Sequence, residues 1–130
     1  MSISVQLDIN MKNLRKKIHD LLSEYRLESF FENNTSSTNQ VYIVGGWLRD
    51  IILGRTSNDL DLITYNAESL SKKLRNEIKG TLITLDENYQ IYRVIPQNKN
   101  IYFDIAEIRE TLENDLKKRD FTINALAYQL

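Results

Sequence analysis

Two aspartates separated by one leucine, Asp59-Leu60-Asp61, are the residues of this chain whose type and spacing most directly suggest chemistry. On a β-strand, residues i and i+2 point to the same face, so both carboxylates converge while Leu60 and Leu62 turn into the core. Two carboxylates that close repel one another unless a cation lies between them. Hard oxygen ligands at this spacing suit Mg2+, which keeps its remaining positions for water and substrate phosphates. By itself such a pair also occurs on solvated strand faces. A second group stands upstream, Gly45-Gly46. Glycine lets backbone N–H groups approach a phosphate, and a helix N-terminus adds partial positive charge; two glycines alone also make an ordinary tight turn. The combination is more informative. One short helix and one short loop separate the glycines from Asp59, so a phosphate cradle and a metal-binding pair can face each other at a sheet edge.

The elements that must position these groups follow from periodicity. Leu14, Ile18, Leu21, Leu22 and Tyr25 share one helical face, which predicts an amphipathic helix from Met11 to about Phe31 after a short frayed start, Met1 to Asn10. The polar segment Asn33 to Asn39 reads as a loop joining it to the main domain. Val41 to Val44 is a short apolar run that predicts a buried strand, and Leu48, Ile51 and Ile52 have helical spacing closed by Gly54. Asp59 to Thr64 reads as a strand, and Ala67, Leu70, Leu74 and Ile78 as a second amphipathic helix closed by Gly80. Strands are expected at Thr81 to Leu85, Gln90 to Ile95 and Ile101 to Ile108, with a turn at Asp86-Glu87-Asn88. Leu112 and Leu116 suggest a helical turn, and Phe121 to Tyr128 a final helix. No internal repeat is visible, and the order of elements predicts one mixed α+β sheet domain.

Composition narrows the function classes. At 130 residues the chain is the size of one ordinary domain. A net charge of -1 supplies no general field for a polyanion, so RNA contacts must be local or come from a partner. The chain has no cysteine, which excludes disulfides, thiolate zinc sites and thiol catalysis. Its single histidine, His19, lies on the first helix and reads as a surface or packing residue. No apolar signal core or run of membrane length is present, so no membrane partner is expected and a cytoplasmic location is. The seven tyrosines are scattered among other residues and do not form a stacking platform for single-stranded RNA.

The stretch from Gly45 to Thr64 resembles the first signature of class II tRNA nucleotidyltransferases and bacterial poly(A) polymerases, within the DNA polymerase beta superfamily. That signature reads G-G-x-x-R-D-x-x-L-G-R, then D-x-D and a threonine, and Arg49, Asp50, Leu53, Gly54, Arg55 and Thr64 match it. Lys118-Arg119-Asp120-Phe121-Thr122-Ile123-Asn124-Ala125 is similar to the family's R-R-D-F-T-x-N-A signature, with Lys118 in the first arginine's place. The resemblance covers about 41–130, a head domain, and leaves 1–40 as an N-terminal helix and polar loop. It implies an α+β, polymerase beta-like nucleotidyltransferase head with a mixed β-sheet flanked by helices.

It also implies Asp59 and Asp61 as catalytic metal ligands for Mg2+, and Asp104 as a third catalytic carboxylate on a neighbouring strand. Gly45, Gly46, Arg49, Arg55, Arg109, Arg119, Asp120 and Asn124 would contact a nucleoside triphosphate such as ATP or CTP. Arg119 and Asp120 would meet phosphates and sugar. The acceptor implied is an RNA 3′ end, of the tRNA kind. The neck, body and tail domains that come after the head in this family are not in the chain, and Glu110 runs almost directly into Thr111 to Leu116 where the family carries a flexible loop. Ile123, Leu126, Tyr128 and Leu130 would normally be covered by the neck domain. A second protein chain, self-association or the N-terminal helix is expected to cover them. The rival expectation is a non-catalytic or incomplete module that binds nucleotide or a partner.

Overall fold

The computed structural model describes residues 3–37, 39–111, 114 and 127–130. Helix α1 spans Ile3–Glu24 and α2 Glu28–Asn34. They are followed by β1 (Val41–Val44), α3 (Gly45–Ile52), β2 (Asp59–Thr64) and α4 (Ala67–Ile78). Four strands complete the order: β3 (Thr81–Asp86), β4 (Ile91–Ile95), β5 (Tyr102–Glu107) and β6 (Ala127–Gln129).

The single N-terminal helix expected to Phe31 is two helices, and the first begins earlier, at Ile3. Arg26 breaks them with φ 56°. The reason is a change of phase. From Ile18 to Leu27 a straight helix turns through about 900°, so Leu27 would lie half a turn away from the buried stripe. Breaking at Arg26 brings Leu27, Phe30 and Phe31 back inward, where all three are buried with Leu14 and Ile18. Asn33 and Asn34 therefore belong to α2. Ser36 and Asn39 exchange backbone hydrogen bonds of 3.1 and 3.2 Å in the next loop. Thr64, buried on β2, donates from Oγ1 to Asn39 Oδ1 and to the Gln40 carbonyl at 3.2 and 3.0 Å, tying that loop to the sheet.

Among the described residues, six strands form one mixed sheet in the order β3-β4-β5-β2-β1-β6. Strands β2 and β5 pair in parallel, joined through α4 and the β3–β4 hairpin, and the other pairings among the described residues are antiparallel. Alternation along the strands divides the residues between two faces. Val41, Ile43, Leu60, Leu62, Tyr92, Val94, Phe103 and Ile105 pack with the helices in the main core. Val44, Ile63 and Ile108, with Tyr42 and Ala106, make a smaller cluster on the opposite face. The expected helix over Phe121 to Tyr128 is corrected at its end: residues 127–129 are a strand, paired antiparallel with Tyr42 to Val44 of β1. Three residues near the end of the chain satisfy an open β1 edge, a long-range pairing that local periodicity does not encode. The rest of that expectation, and the turn at Leu112 and Leu116, lie outside the described residues. Leu130 donates its N–H to the Val41 carbonyl at 2.9 Å and packs against the main core, beside Ile18, Leu22 and Phe31.

Helix α4 is placed by Glu107. Its Oε1 accepts the N–H of Ala67, the first residue of the helix, at 2.9 Å. Burial pushes the Glu107 carboxyl above its ordinary 4.5 and outweighs the opposing pull of the Ala67 N–H and of Arg109. A carboxyl raised in the folded state holds its proton there after the unfolded chain has lost it. Its contribution to stability is therefore full below the ordinary value and falls as pH rises through the raised one. Glu107→Gln keeps an acceptor for Ala67 and removes that titration. Its melting temperature is expected to match or exceed that of the parent at about pH 7, with a flatter pH dependence above about pH 4. Thermal melting across this range checks it; a lower melting point for the variant at neutral pH would show that the charge itself holds the helix.

Candidate active site

Strand alternation places Asp59 and Asp61 on the sheet face away from the main core, as their spacing required, with Leu60 and Leu62 buried beneath. The parallel β2–β5 register sets Asp61 directly beside Asp104, so neighbouring strands bring them to within about 5 Å in Cα spacing. Asp104 alternates away from buried Phe103 and Ile105, as expected. Three carboxylates thus share one face.

The glycine end of α3 meets this face directly. Val44 pairs with Asp61 across β1 and β2, so the next residue, Gly45, begins α3 beside that carboxylate. Gly45 has φ +74°, and a Cβ there would lie 2.9 Å from Asp61 Oδ2. Both the backbone conformation and the close approach require glycine. Gly46 permits a second approach, since a Cβ on it would lie 3.3 Å from Arg49 Nη2. Arg49 therefore folds back over the start of its own helix, with Nε 3.3 Å from Asp50 Oδ1. The Gly45–Gly46 backbone, Arg49 and the Asp61 carboxylate meet at one strand-to-helix junction.

Sequence reasoning missed Arg93. It stands opposite Asp104 in the β4–β5 register. Its Nε and Nη2 donate to Asp104 Oδ1 and Oδ2 at 2.7 and 2.9 Å, a two-pronged ion pair. Its guanidinium carbon lies 4.8 Å from the centroid of the Tyr102 ring. The Asp104 hydrogen bonds push the already high Arg93 pKa higher still, against the opposing effect of burial. Arg93 belongs to neither signature; the only local signal was a cation on a strand beside Tyr92 and Val94.

The other expected contacts are placed differently. Arg55 is exposed in the loop after α3, where it lines a groove with Lys16, Lys17 and Asp20 of α1. Arg109 comes after β5 and lies 4.5 Å from the centroid of the Tyr89 ring, donating to the Asn88 carbonyl of the β3–β4 turn. His19 is exposed and 3.1 Å from Glu28, a bond between α1 and α2 that agrees with a packing role. Lys118, Arg119, Asp120 and Asn124 lie outside the described residues.

The donor set can be set against the coordination habits of Mg2+. Among the described residues no three acidic or histidine side chains gather closely enough to hold a cation. Asp59 and Asp61 nonetheless offer hard oxygens on one face, and Mg2+ commonly uses one or two carboxylates and completes its shell with water and phosphates. The fit is to a two-carboxylate site shared with a substrate.

A mixed sheet that presents a D-x-D pair against a glycine-opened helix has the architecture of a nucleotidyltransferase head, and known proteins agree with that class. Residues 41–130 match the poly(A) polymerase head domain. The chain belongs to that family. A CC-adding tRNA nucleotidyltransferase of Thermus thermophilus is 35% identical over 86 residues, 66% of this chain and 19% of that protein. A CCA-adding enzyme of Streptococcus pyogenes is 33% identical over 100 residues, 68% of this chain and 25% of that protein. Among solved structures, the Thermotoga maritima CCA-adding enzyme complexed with tRNA superposes with a TM-score of 0.70 at 32% identity, covering 85% of this chain and 26% of that one. A CCA-adding enzyme in complex with CTP gives 0.75 at 29% identity, covering 92% and 30%. The chain thus spans a minor part of each relative. Among the described residues no helix is long and apolar enough to cross a membrane.

Proposed function

We propose that this chain is the catalytic head of a Mg2+-dependent RNA nucleotidyltransferase of the CCA-adding or poly(A) polymerase type. The observation that carries the reading is the junction at which Gly45 lies against Asp61, with Asp59 and Asp104 on the same face. Phosphates of ATP or CTP lie along Gly45 and Gly46, where backbone donors and Arg49 meet them. Asp59 and Asp61 are the residues to hold magnesium, which when bound neutralises triphosphate charge and activates the attacking hydroxyl. An RNA 3′-oxygen forms a bond to the α-phosphorus, the bond from the α-phosphorus to the oxygen bridging it to the β-phosphorus breaks, pyrophosphate leaves with that oxygen, and the hydroxyl proton passes to solvent water. No protein nucleophile is required. The chain's part is to align the reacting groups and offset developing charge.

Arg119 and Asp120 are proposed to contact phosphates and sugar, and Asn124, Arg55 and Arg109 to contribute to nucleotide binding. To do so, Arg55 would have to leave its groove beside α1, and Arg109 its place over Tyr89. Because the relatives are several times longer than the matched region, we assign grip on tRNA and choice of base to residues beyond this head, on the same polypeptide or on a partner.

The experiment is incubation with magnesium, each labelled nucleoside triphosphate and a set of RNAs including tRNA lacking its terminal nucleotides. Extension of the 3′ end with release of pyrophosphate is expected. Nucleotide binding without extension of any RNA would assign the chain to a binding module instead.

A further inference from the structure

Asp59, Asp61 and Asp104 share one face, and Arg93 sets a positive charge against the third of them. Directly opposed residues on adjacent antiparallel strands fix its distance to Asp104. The ion pair is sheltered: the side chains of Arg93 and Asp104 are 29% and 15% exposed. Both oxygens of Asp104 are engaged by the two prongs, and Tyr102 lies under the guanidinium, restricting it from the side. A carboxylate held through both oxygens by an arginine makes a poor additional metal ligand.

Building on the proposed function, we propose that Arg93 is a positioning residue of this site: it fixes Asp104 beside Asp61 and withholds it from the cation, which is left to Asp59 and Asp61. The grip depends on the planar fork of arginine, since a lysine ammonium is a point charge that cannot hold both oxygens in the same way.

Manganese(II) serves as the probe, its binding to the nucleotide-free full chain measured by electron paramagnetic resonance of the free ion. Arg93→Gln removes one positive charge and releases one carboxylate, so it should bind manganese on the order of tenfold more tightly than the parent. Arg93→Lys should fall between the two. Arg93→Gln combined with Asp104→Asn should return to the parent affinity, because the released ligand is gone. In the extension assay, Arg93→Gln should lose turnover while needing less metal for half-saturation; a purely structural role would leave the metal requirement where it was. Melting curves confirm folding, and Arg93→Lys keeps the comparison available if Arg93→Gln fails to fold. Unchanged manganese affinity in both single variants overturns the proposal, as does a gain that persists in full without Asp104. Asp59→Ala separates this result from the proposed function itself. If the unaltered chain binds manganese no better than Asp59→Ala, the two-carboxylate site is wrong and this proposal falls with it.

Discussion

Asp61→Ala is expected to lower nucleotide transfer by at least about 10^3-fold, and Asp59→Ala to do the same. Losing metal-assisted charge stabilisation removes several kcal/mol from the transition state, and each 1.4 kcal/mol is about a factor of ten in rate. Stability should respond far less. Asp61 is half-buried and Asp59 exposed, and both stand on the face away from the main core. Removing either relieves repulsion between Asp59 and Asp61 without opening a cavity. Melting temperatures should therefore stay within a few degrees, a change of about 1 kcal/mol or less on a domain of this size. Parallel measurements of 3′ extension and thermal melting decide the matter. Activity within tenfold of the parent in either variant would remove these residues from the chemistry. A collapse in melting temperature would mean that they act through the fold.

The second large effect concerns a position with no functional group. Gly45→Ala would place a methyl 2.9 Å from Asp61 Oδ2 at a residue with φ +74°. The backbone conformation costs an L-residue about 1–2 kcal/mol. The contact must also be relieved, by moving Asp61 or the start of α3, and displacement of about 1 Å at a reacting centre can cost about 10^2-fold in rate. Gly54 provides an internal comparison. It has the same φ, +74°, but no atom lies within 4 Å of a Cβ built on it. Gly54→Ala should thus show the backbone penalty alone, as a loss of melting temperature with transfer largely kept. Gly45→Ala should show the backbone penalty together with a rate loss of about 10^2-fold. Equal activity in the two variants would mean that the approach of Gly45 to Asp61 has no catalytic consequence.

Several features of this protein are local, and the sequence alone determined them. The period of two in Asp59-Leu60-Asp61 puts both carboxylates on one face whatever the sheet around them. Val41 to Val44 followed by two glycines marks a strand that ends at a helix. The same stretch carries the family resemblance, which the match over residues 41–130 bears out. The stripes of α4 and of the first part of α1 were equally legible, because each repeats every turn of its own helix. The break at Arg26 was written in the phase of Leu27, Phe30 and Phe31, but no glycine or proline marks it, and burial in the common core makes the left-handed residue tolerable.

Tertiary structure alone decided what depends on register. The Arg93–Asp104 ion pair exists because β4 and β5 align those two residues, and a slip of one residue in either strand would turn that strand's side chains to the other face and separate the pair. The strand at 127–129 forms because β1 leaves an edge beside it, and Arg109 is drawn to Tyr89 because the β3–β4 turn reaches the end of β5. Such pairings join residues far apart in the chain, and their alignment is set by how Phe103, Ile105, Tyr92 and Val94 fill the space under the helices. Side-chain period is a property of one segment; register is a property of two, fixed only when a shared core holds them together.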